Sequence, residues 1–512
     1  MLFNSPEFLL LFLPVTWVVF MLLRGSRSAL LWLSLASLFF YGYWNPRYLL
    51  LLGASVLANY ALGWLIQRDS GTTTRRRFIT TLGVVFNLGL IGYYKYAGFF
   101  VSEASALLGQ DWSIDQILLP LAISFFTFQQ IAYLVDCYQG KVEKHGFLEY
   151  LIFVTFFPQL IAGPIVHHKD LLQQFRRIDE FRREQGNLAI GVSIFAIGLF
   201  KKVLIADNLA RFATPVFNAS LDGVMLSFSE SWSGALAYTF QLYFDFSGYS
   251  DMAIGLALMF GVILPINFSS PYKSRSIIDF WRAWHITLSN FLRDYLYIPL
   301  GGNRHGNFAR YRNLSTTMLL GGLWHGAGWT FVIWGGLHGA YLMINHLWRA
   351  LPFYSKVKSL PFYGFMSWLL TFIAVVVAWV YFRAESASSA SNILSSMFGL
   401  YGIGVPERFA DSLDFLPLLV FDGLFPNLSM GWPKAWMLII CGLICCTALP
   451  NVFELFNAKL TERGLNQKVV TWPSLVRFVW RPSFMWATAI ALYLTAGLVS
   501  LSQPTEFLYF QF

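Results

Sequence analysis

The sequence predicts an all-α integral membrane protein, a polytopic helical bundle of about ten to twelve spans with re-entrant and interfacial helices. Three observations predict it. Of the 512 residues, 56% are hydrophobic and 12% charged, whereas a soluble chain carries roughly a quarter charged residues. Apolar runs near the ~20 residues needed to cross a bilayer recur along the whole chain. The loops between the early runs alternate in charge.

The aromatic share is 18%, with 50 Phe and 19 Trp. That is more than one soluble core needs, and Trp and Tyr favour the membrane interface. No hydrophilic block is long enough to fold alone, so residues 1–512 read as a single membrane-embedded domain. Its motif-rich core covers about 147–349, and a C-terminal extension of further spans covers about 364–512. The formal charge of +9 first reflects the cytoplasmic Lys/Arg excess that sets topology, and second suits an anionic ligand. Cys137, Cys441, Cys445 and Cys446 form no CxxC pair and read as small apolar residues.

The first run, 7–23, has no basic residues before it, while Arg24 and Arg27 follow it. A signal peptide has the opposite polarity, so this reads as a retained span with its N-terminus outside. Further runs fall at 28–43, 48–66, 78–100, 117–135, 189–206, 232–262, 314–347 (a tight pair), 364–382, 412–449 (one or two) and 484–501. The loop 67–78 holds Arg68, Arg75, Arg76 and Arg77 and reads as cytoplasmic. Loop 101–116 holds only Glu103, Asp111 and Asp115, which suits the outside, and Lys141 and Lys144 mark the cytoplasm again. Lys459, Arg463, Lys468, Arg477 and Arg481 before the last span put the C-terminus outside as well.

Two stretches depart from the simple pattern. Residues 147–166 are apolar, yet basic residues lie on both sides, and Pro158 and Gly163-Pro164 interrupt them. A segment that enters and leaves on one side satisfies both facts, and broken backbone at membrane depth needs protein or a water-filled cavity around it. A kinked ordinary span is the alternative. Residues 264–312 are the least membrane-like, with Lys273, Arg275, Arg282, Arg293, Arg304, Arg310 and Arg312 set against Asp279 and Asp294. An amphipathic interfacial helix has this composition.

Eight His could carry chemistry. His145, His167, His168, His305 and His346 sit in basic loops, turns or span ends, where a solvated or interfacial role suffices. His325 lies inside an apolar, glycine-rich run, where a buried ionisable residue is a functional hypothesis by default. His285 lies in DFWRAWHITLSNFLRDYLYIPLGG; on a helix it would share a face with Trp281 and Ser289 at i, i+4 spacing. A neutral imidazole can take a proton from a hydroxyl near pH 7, making it a nucleophile toward an acyl thioester. Nearby basic residues could hold the donor's phosphates. No G-x-S-x-G elbow and no HExxH or Cys/His metal spacing is present, and no metal is expected. Bonding to a neighbouring helix is the structural alternative for either His.

Four stretches carry a resemblance: FFPQLIAGPIVHHKDLLQQF (156–175), YFDFSGYSDMAIGLALMFG (243–261), DFWRAWHITLSNFLRDYLYIPLGGNR (279–304) and LLGGLWHGAGWTFVIWGGLHG (319–339). Together with the terminal FLYFQF they resemble the bacterial polysaccharide-acetylating branch of the membrane-bound O-acyltransferase family. The resemblance implies a bundle around a central funnel, His325 as the catalytic residue and His285 as a second essential residue near it. It also implies that Trp281, Ser289, Arg293, Asp294 and Trp324 shape the substrate site, and that Asp245, Tyr249 and Asp251 belong to another family motif. The chain continues more than a hundred residues beyond Arg383, as alginate and cellulose acetylation members do. The implied function moves an acetyl group from cytosolic acetyl-CoA, or an acyl-carrier thioester, across the bacterial inner membrane toward an exported polysaccharide. Acetyl-CoA would be a donor substrate, with no cofactor permanently bound. Membrane lipids and a periplasmic acetyltransferase or secretion protein are the expected partners, and nucleic acid is not. D-alanyl transfer to a cell-wall polymer, a transporter and a secretion-complex scaffold are the alternatives.

Overall fold

The computed structural model describes residues 1–68, 73–115, 117–176, 187–405, 416, 418–420, 431–465, 467–472, 474, 478–502 and 508. Most of the expected span 412–449 up to residue 430 lies outside these residues. So do Arg177, Arg182, Arg183 and Arg477, and all of FLYFQF except Leu508. The protein is an all-α membrane protein. Among the described residues the only sheet is a two-residue parallel pairing of Ile403–Gly404 with Leu419–Val420. Among the described residues five helices are long and apolar enough to cross a bilayer: Arg47–Arg68, Thr73–Leu108, Asn187–Leu221, Tyr363–Arg383 and Pro433–Glu462. Phe8–Leu23 and Phe484–Val499 are shorter apolar helices. Two of the long ones outrun the expected 78–100 and 189–206. In each, a π-turn (Gly92–Tyr96 and Lys201–Ala206) carries the helix onward rather than ending it; such single-turn insertions are often found at functional sites.

The chain forms two compact units. One comprises Met1–Leu199, Tyr249–Ile266 and Ala458–Gln467. Its helices are bound by polar side chains as well as by packing, as expected where lipid offers no hydrophobic drive between helices. Asn59 and Asn87 exchange amide hydrogen bonds of 3.2 and 2.6 Å between Arg47–Arg68 and Thr73–Ile91. Gln130 donates to the Ser55 hydroxyl at 3.1 Å.

The irregular stretch is broken as its prolines and glycine suggest. Helix Phe147–Thr155 ends at Phe156, whose backbone turns to φ −50°, ψ 109°, and a single turn Phe157–Leu160 follows. Gln129 and Gln159 both donate to the Phe153 carbonyl, at 3.0 and 2.7 Å. The Ser37 hydroxyl accepts the Phe157 amide at 3.1 Å. Side chains thus satisfy groups that the missing helical turn leaves open, the condition for tolerating such backbone in an apolar setting.

The second unit comprises Phe200–Gly248, Asn267–Asn457 and Lys468–Phe512. Six of its helices set up the site: α1 (Phe228–Met259, in this unit as far as Gly248), α2 (Ile277–Ala283), α3 (Ile286–Leu292), α4 (Gly306–His325), α5 (Trp329–Ala350) and α6 (Tyr363–Arg383). Helices α4 and α5 form a close antiparallel pair. A Cβ on Gly322 would collide with the Phe331 carbonyl oxygen, and one on Gly335 with the Met318 carbonyl oxygen. Small residues here let two backbones touch. The core joining these helices is aromatic, with Tyr238, Trp334 and Trp379 fully buried.

Candidate active site

Helix α2 does not run on into α3. Trp284 is extended (φ −98°, ψ 128°) and His285 is left-handed (φ 41°, ψ 54°). A non-glycine residue in that region carries a strain that its surroundings must hold. The holder is the irregular segment Asn267–Ser269. The Ser269 amide donates to the Ala283 carbonyl and the Ile286 amide to the Asn267 carbonyl, both at 2.9 Å. The expectation that Trp281, His285 and Ser289 share one helical face is therefore corrected, because the helix breaks between the first two. Trp281 bonds His338, while the Ser289 hydroxyl turns back to the Trp284 carbonyl at 3.3 Å.

The Asn267 side chain sets the tautomer of His285. Its Oδ1 accepts from the Thr287 amide at 3.3 Å and the Thr287 hydroxyl at 2.9 Å, and it lies 3.0 Å from His285 Nδ1. A backbone N–H can only donate, so the atom it faces is oxygen, and Nδ1 must carry the imidazole proton. His285 Nε2 is left as the lone-pair nitrogen. It is buried, with no hydrogen-bond partner among the described residues. The whole residue is 0% exposed, and burial pushes its imidazole down to about 3, which keeps it neutral at physiological pH.

His325 ends α4. The Trp324 ring centroid lies 4.8 Å from that of His325 and 6.3 Å from that of His285, so one indole packs against both imidazoles. On its other side His325 meets Trp334 at 5.1 Å and Phe382 at 5.1 Å. Trp334 continues to His338 at 4.8 Å, and His338 to Trp281 at 5.1 Å. Three imidazoles and three indoles thus alternate through the buried centre of the unit. His338 was not singled out by the sequence, although GLHG places it within an apolar run as costly as the one around His325. The Trp281 indole N–H donates to His338 Nδ1 at 3.2 Å, so neutral His338 carries its proton on Nε2, the reverse of His285.

The remaining predicted residues divide. Asp245, buried on α1, pairs with Lys202 Nζ at 2.7 Å and accepts the Leu508 amide at 3.2 Å. Lys202 also meets Asp207 at 2.8 Å. Lys202 has a sequence signal, a lysine pair inside an apolar run, but its partners Asp207 and Asp245, 38 residues apart, do not. Asp245 precedes Phe246, whose ring stands edge-on to His285 at 4.7 Å. Tyr249 and Asp251 are buried in the other unit, where Tyr249 stacks on Phe3 at 4.7 Å. Arg293 and Asp294 pair with each other at 2.7 Å on a half-buried π-turn, Arg293–Tyr297. Of the basic residues beyond it, Arg304 is exposed in a turn, Arg310 reaches His346 at 2.8 Å, and Arg312 reaches Asn313 at 3.2 Å. The structure therefore gathers His285, Trp324, His325 and, through Trp334 and His338, Trp281. It does not gather Arg293 or Asp294 with them.

Comparison with known proteins places the cluster inside a matched family region. The family model described as "MBOAT, membrane-bound O-acyltransferase family" matches residues 118–387. A Helicobacter pylori protein named "Peptidoglycan O-acetyltransferase" is 42% identical over 487 residues, covering 90% of this chain and 91% of the relative. A Pseudomonas aeruginosa protein named "Probable alginate O-acetylase AlgI" is 44% identical over 407 residues, covering 78% of this chain and 75% of the relative. A Streptococcus thermophilus "Teichoic acid D-alanyltransferase" is 29% identical over 243 residues, covering 46% of this chain and 58% of the relative. With its buried His285, Trp324 and His325 inside the matched region, the chain belongs to the membrane-bound O-acyltransferase family and is an O-acyltransferase.

Proposed function

We propose that this protein moves an acetyl group from acetyl-CoA on the cytoplasmic side of the bacterial inner membrane to a hydroxyl of an exported polysaccharide. The observation that carries the reading is the contact of His285 and His325 with one indole, Trp324, in a desolvated aromatic cluster. His325 takes the proton of the acceptor hydroxyl, and the oxygen attacks the thioester carbonyl. The tetrahedral intermediate collapses with breakage of the C–S bond, and the thiolate leaves with the coenzyme. His325 then gives up its proton to the thiolate or to water. His285, packed on the same Trp324 indole, presents a hydrogen-bond-accepting Nε2.

The acceptor reading rests on names borne by relatives. Those at 42% and 44% identity are named for acetyl transfer to peptidoglycan and alginate, both glycans with free hydroxyls. The D-alanyl relative covers under half of the chain, which favours acetyl as the group moved. Both termini face the periplasm in this proposal, the side on which the exported polymer is met. The test is turnover of radiolabelled acetyl-CoA by the purified full chain, with alginate and peptidoglycan fragments as acceptors. His325→Ala should lower transfer by about 10²- to 10⁴-fold, the range for loss of a general base, while the protein still inserts. Transfer by His325→Ala at the wild-type rate would remove that residue from the mechanism.

A further inference from the structure

A pocket of about 670 Å³ lies apart from the histidine cluster, at the C-terminal end of α5 and the N-terminal end of α6. Arg275, Arg349 and Lys358 line it, with Trp348, Tyr354 and Tyr363 among its aromatic walls. Arg349 donates to the Ser276 hydroxyl at 3.0 Å and lies 3.9 Å from Asp279, so the one carboxylate in the wall is already answered. Arg275 and Lys358 have no counter-charge among the described residues, and both are exposed at the pocket. The Arg275 guanidinium comes within 3.1 Å of where a Cβ on Gly364 would stand, which brings it over the first turn of α6.

That first turn supplies further donors. Tyr363 donates its amide to Leu360 and Met366 to Phe362; the amides between them, on Gly364 and Phe365, belong to residues lining the pocket. Opening amides of a helix have no acceptor within it and attract anions. Trp472 Nε1 is a further buried donor of the lining with no acceptor among the described residues. Because α6 is one of the helices able to cross the bilayer, its first turn falls where a span meets the headgroup layer. Trp and Tyr are enriched at that level, and basic pockets between spans take lipid phosphates there.

We propose that this pocket binds a phosphate ester with an apolar or aromatic remainder, the phosphate held by Arg275, Lys358 and the first turn of α6. Two sources share that chemistry: the headgroup of an anionic phospholipid and a soluble phosphate ester such as coenzyme A. No residue of the pocket belongs to the His285–His325 cluster, so the assignment stands whether or not the acetyl-transfer reading does.

The test uses the full chain in neutral detergent, with dioctanoyl phosphatidylglycerol and coenzyme A titrated separately against Tm, and potassium chloride of equal ionic strength as control. Wild type should give a saturable rise with at least one probe. Arg275→Gln/Lys358→Gln, both exposed positions whose change should leave folding intact, should bind that probe about ten-fold more weakly or worse, since guanidinium–phosphate bonds are charge-assisted. His325→Ala should bind it as wild type does. Saturation by the lipid, by coenzyme A or by both, lost in the double variant, supports the site and names its source. A response no larger than that to chloride, or equal affinity in the double variant, overturns it.

Discussion

His285 Nδ1 lies 3.0 Å from Asn267 Oδ1, the same oxygen that accepts both the amide and the hydroxyl of Thr287. The Asn267 side chain thus fixes the His285 proton, and its backbone carbonyl anchors the left-handed turn by accepting the Ile286 amide. Asn267→Ala should leave the imidazole free to change tautomer. We expect kcat to fall by roughly 10²-fold with little change in KM, as for loss of proton-transfer geometry. Steady-state kinetics on the purified variant checks this; a rise in KM alone would make Asn267 a substrate-binding residue instead.

Burial holds the His285 imidazole down near 3, against about 6.5 in an unfolded chain. The acid limb of kcat/KM between pH 5 and 8 should therefore report another group and persist in Asn267→Ala. For stability the sign follows from proton uptake. Between pH 6.5 and about 3 the unfolded chain binds a proton that folded His285 refuses, so this contribution is full above pH 6.5 and falls as the pH drops toward 3. Unfolding measured across that range should be less acid-sensitive in His285→Asn. Equal acid sensitivity would mean that His285 titrates normally in the folded protein.

Helices α4 and α5 touch through glycine. Gly335→Ala should drive a methyl group into the Met318 carbonyl and lower both Tm and transfer, whereas Gly336→Ala, with nothing nearer than 3.7 Å, should be tolerated. Overpacking of this kind typically costs 1–3 kcal/mol. Thermal unfolding in detergent separates the two variants, and equal Tm values would mean the helix pair gives way without cost.

Lys202, 2% exposed, stands between the carboxylates of Asp207 and Asp245. Lys202→Met should leave both acids buried without their cation, a loss of about 3–5 kcal/mol, and little folded protein should reach the membrane. Lys202→Met/Asp245→Asn should recover part of the yield, because it removes one of the stranded charges. A single variant that accumulates normally would show that water reaches these carboxylates.

The sequence by itself determined the solvent and the fold class. Composition alone excludes a water-soluble fold, and runs near 20 apolar residues can satisfy their backbone in lipid only as helices. The break after Thr155 was legible too, because Pro158 and Gly163 announce it locally. His285 and His325 stood out by the cost of an imidazole in apolar surroundings, a property of each residue and its neighbours along the chain. Tertiary structure decided the rest. Helical spacing placed Trp281, His285 and Ser289 on one face, but the Asn267–Ser269 segment pairs with Ala283 and Ile286, and that pairing holds His285 in a left-handed turn no local pattern signals. Asn267 itself is one polar residue in PINFSSPY, with nothing to mark it until folding sets it against His285. The same holds for His338 and for Lys202 with Asp245, whose roles come from partners far along the chain. Helical periodicity and hydrophobicity are local and repeat, so they survive in the sequence. A tautomer, a buried ion pair and a pocket between helix ends are single meetings of distant residues, and only packing brings them about.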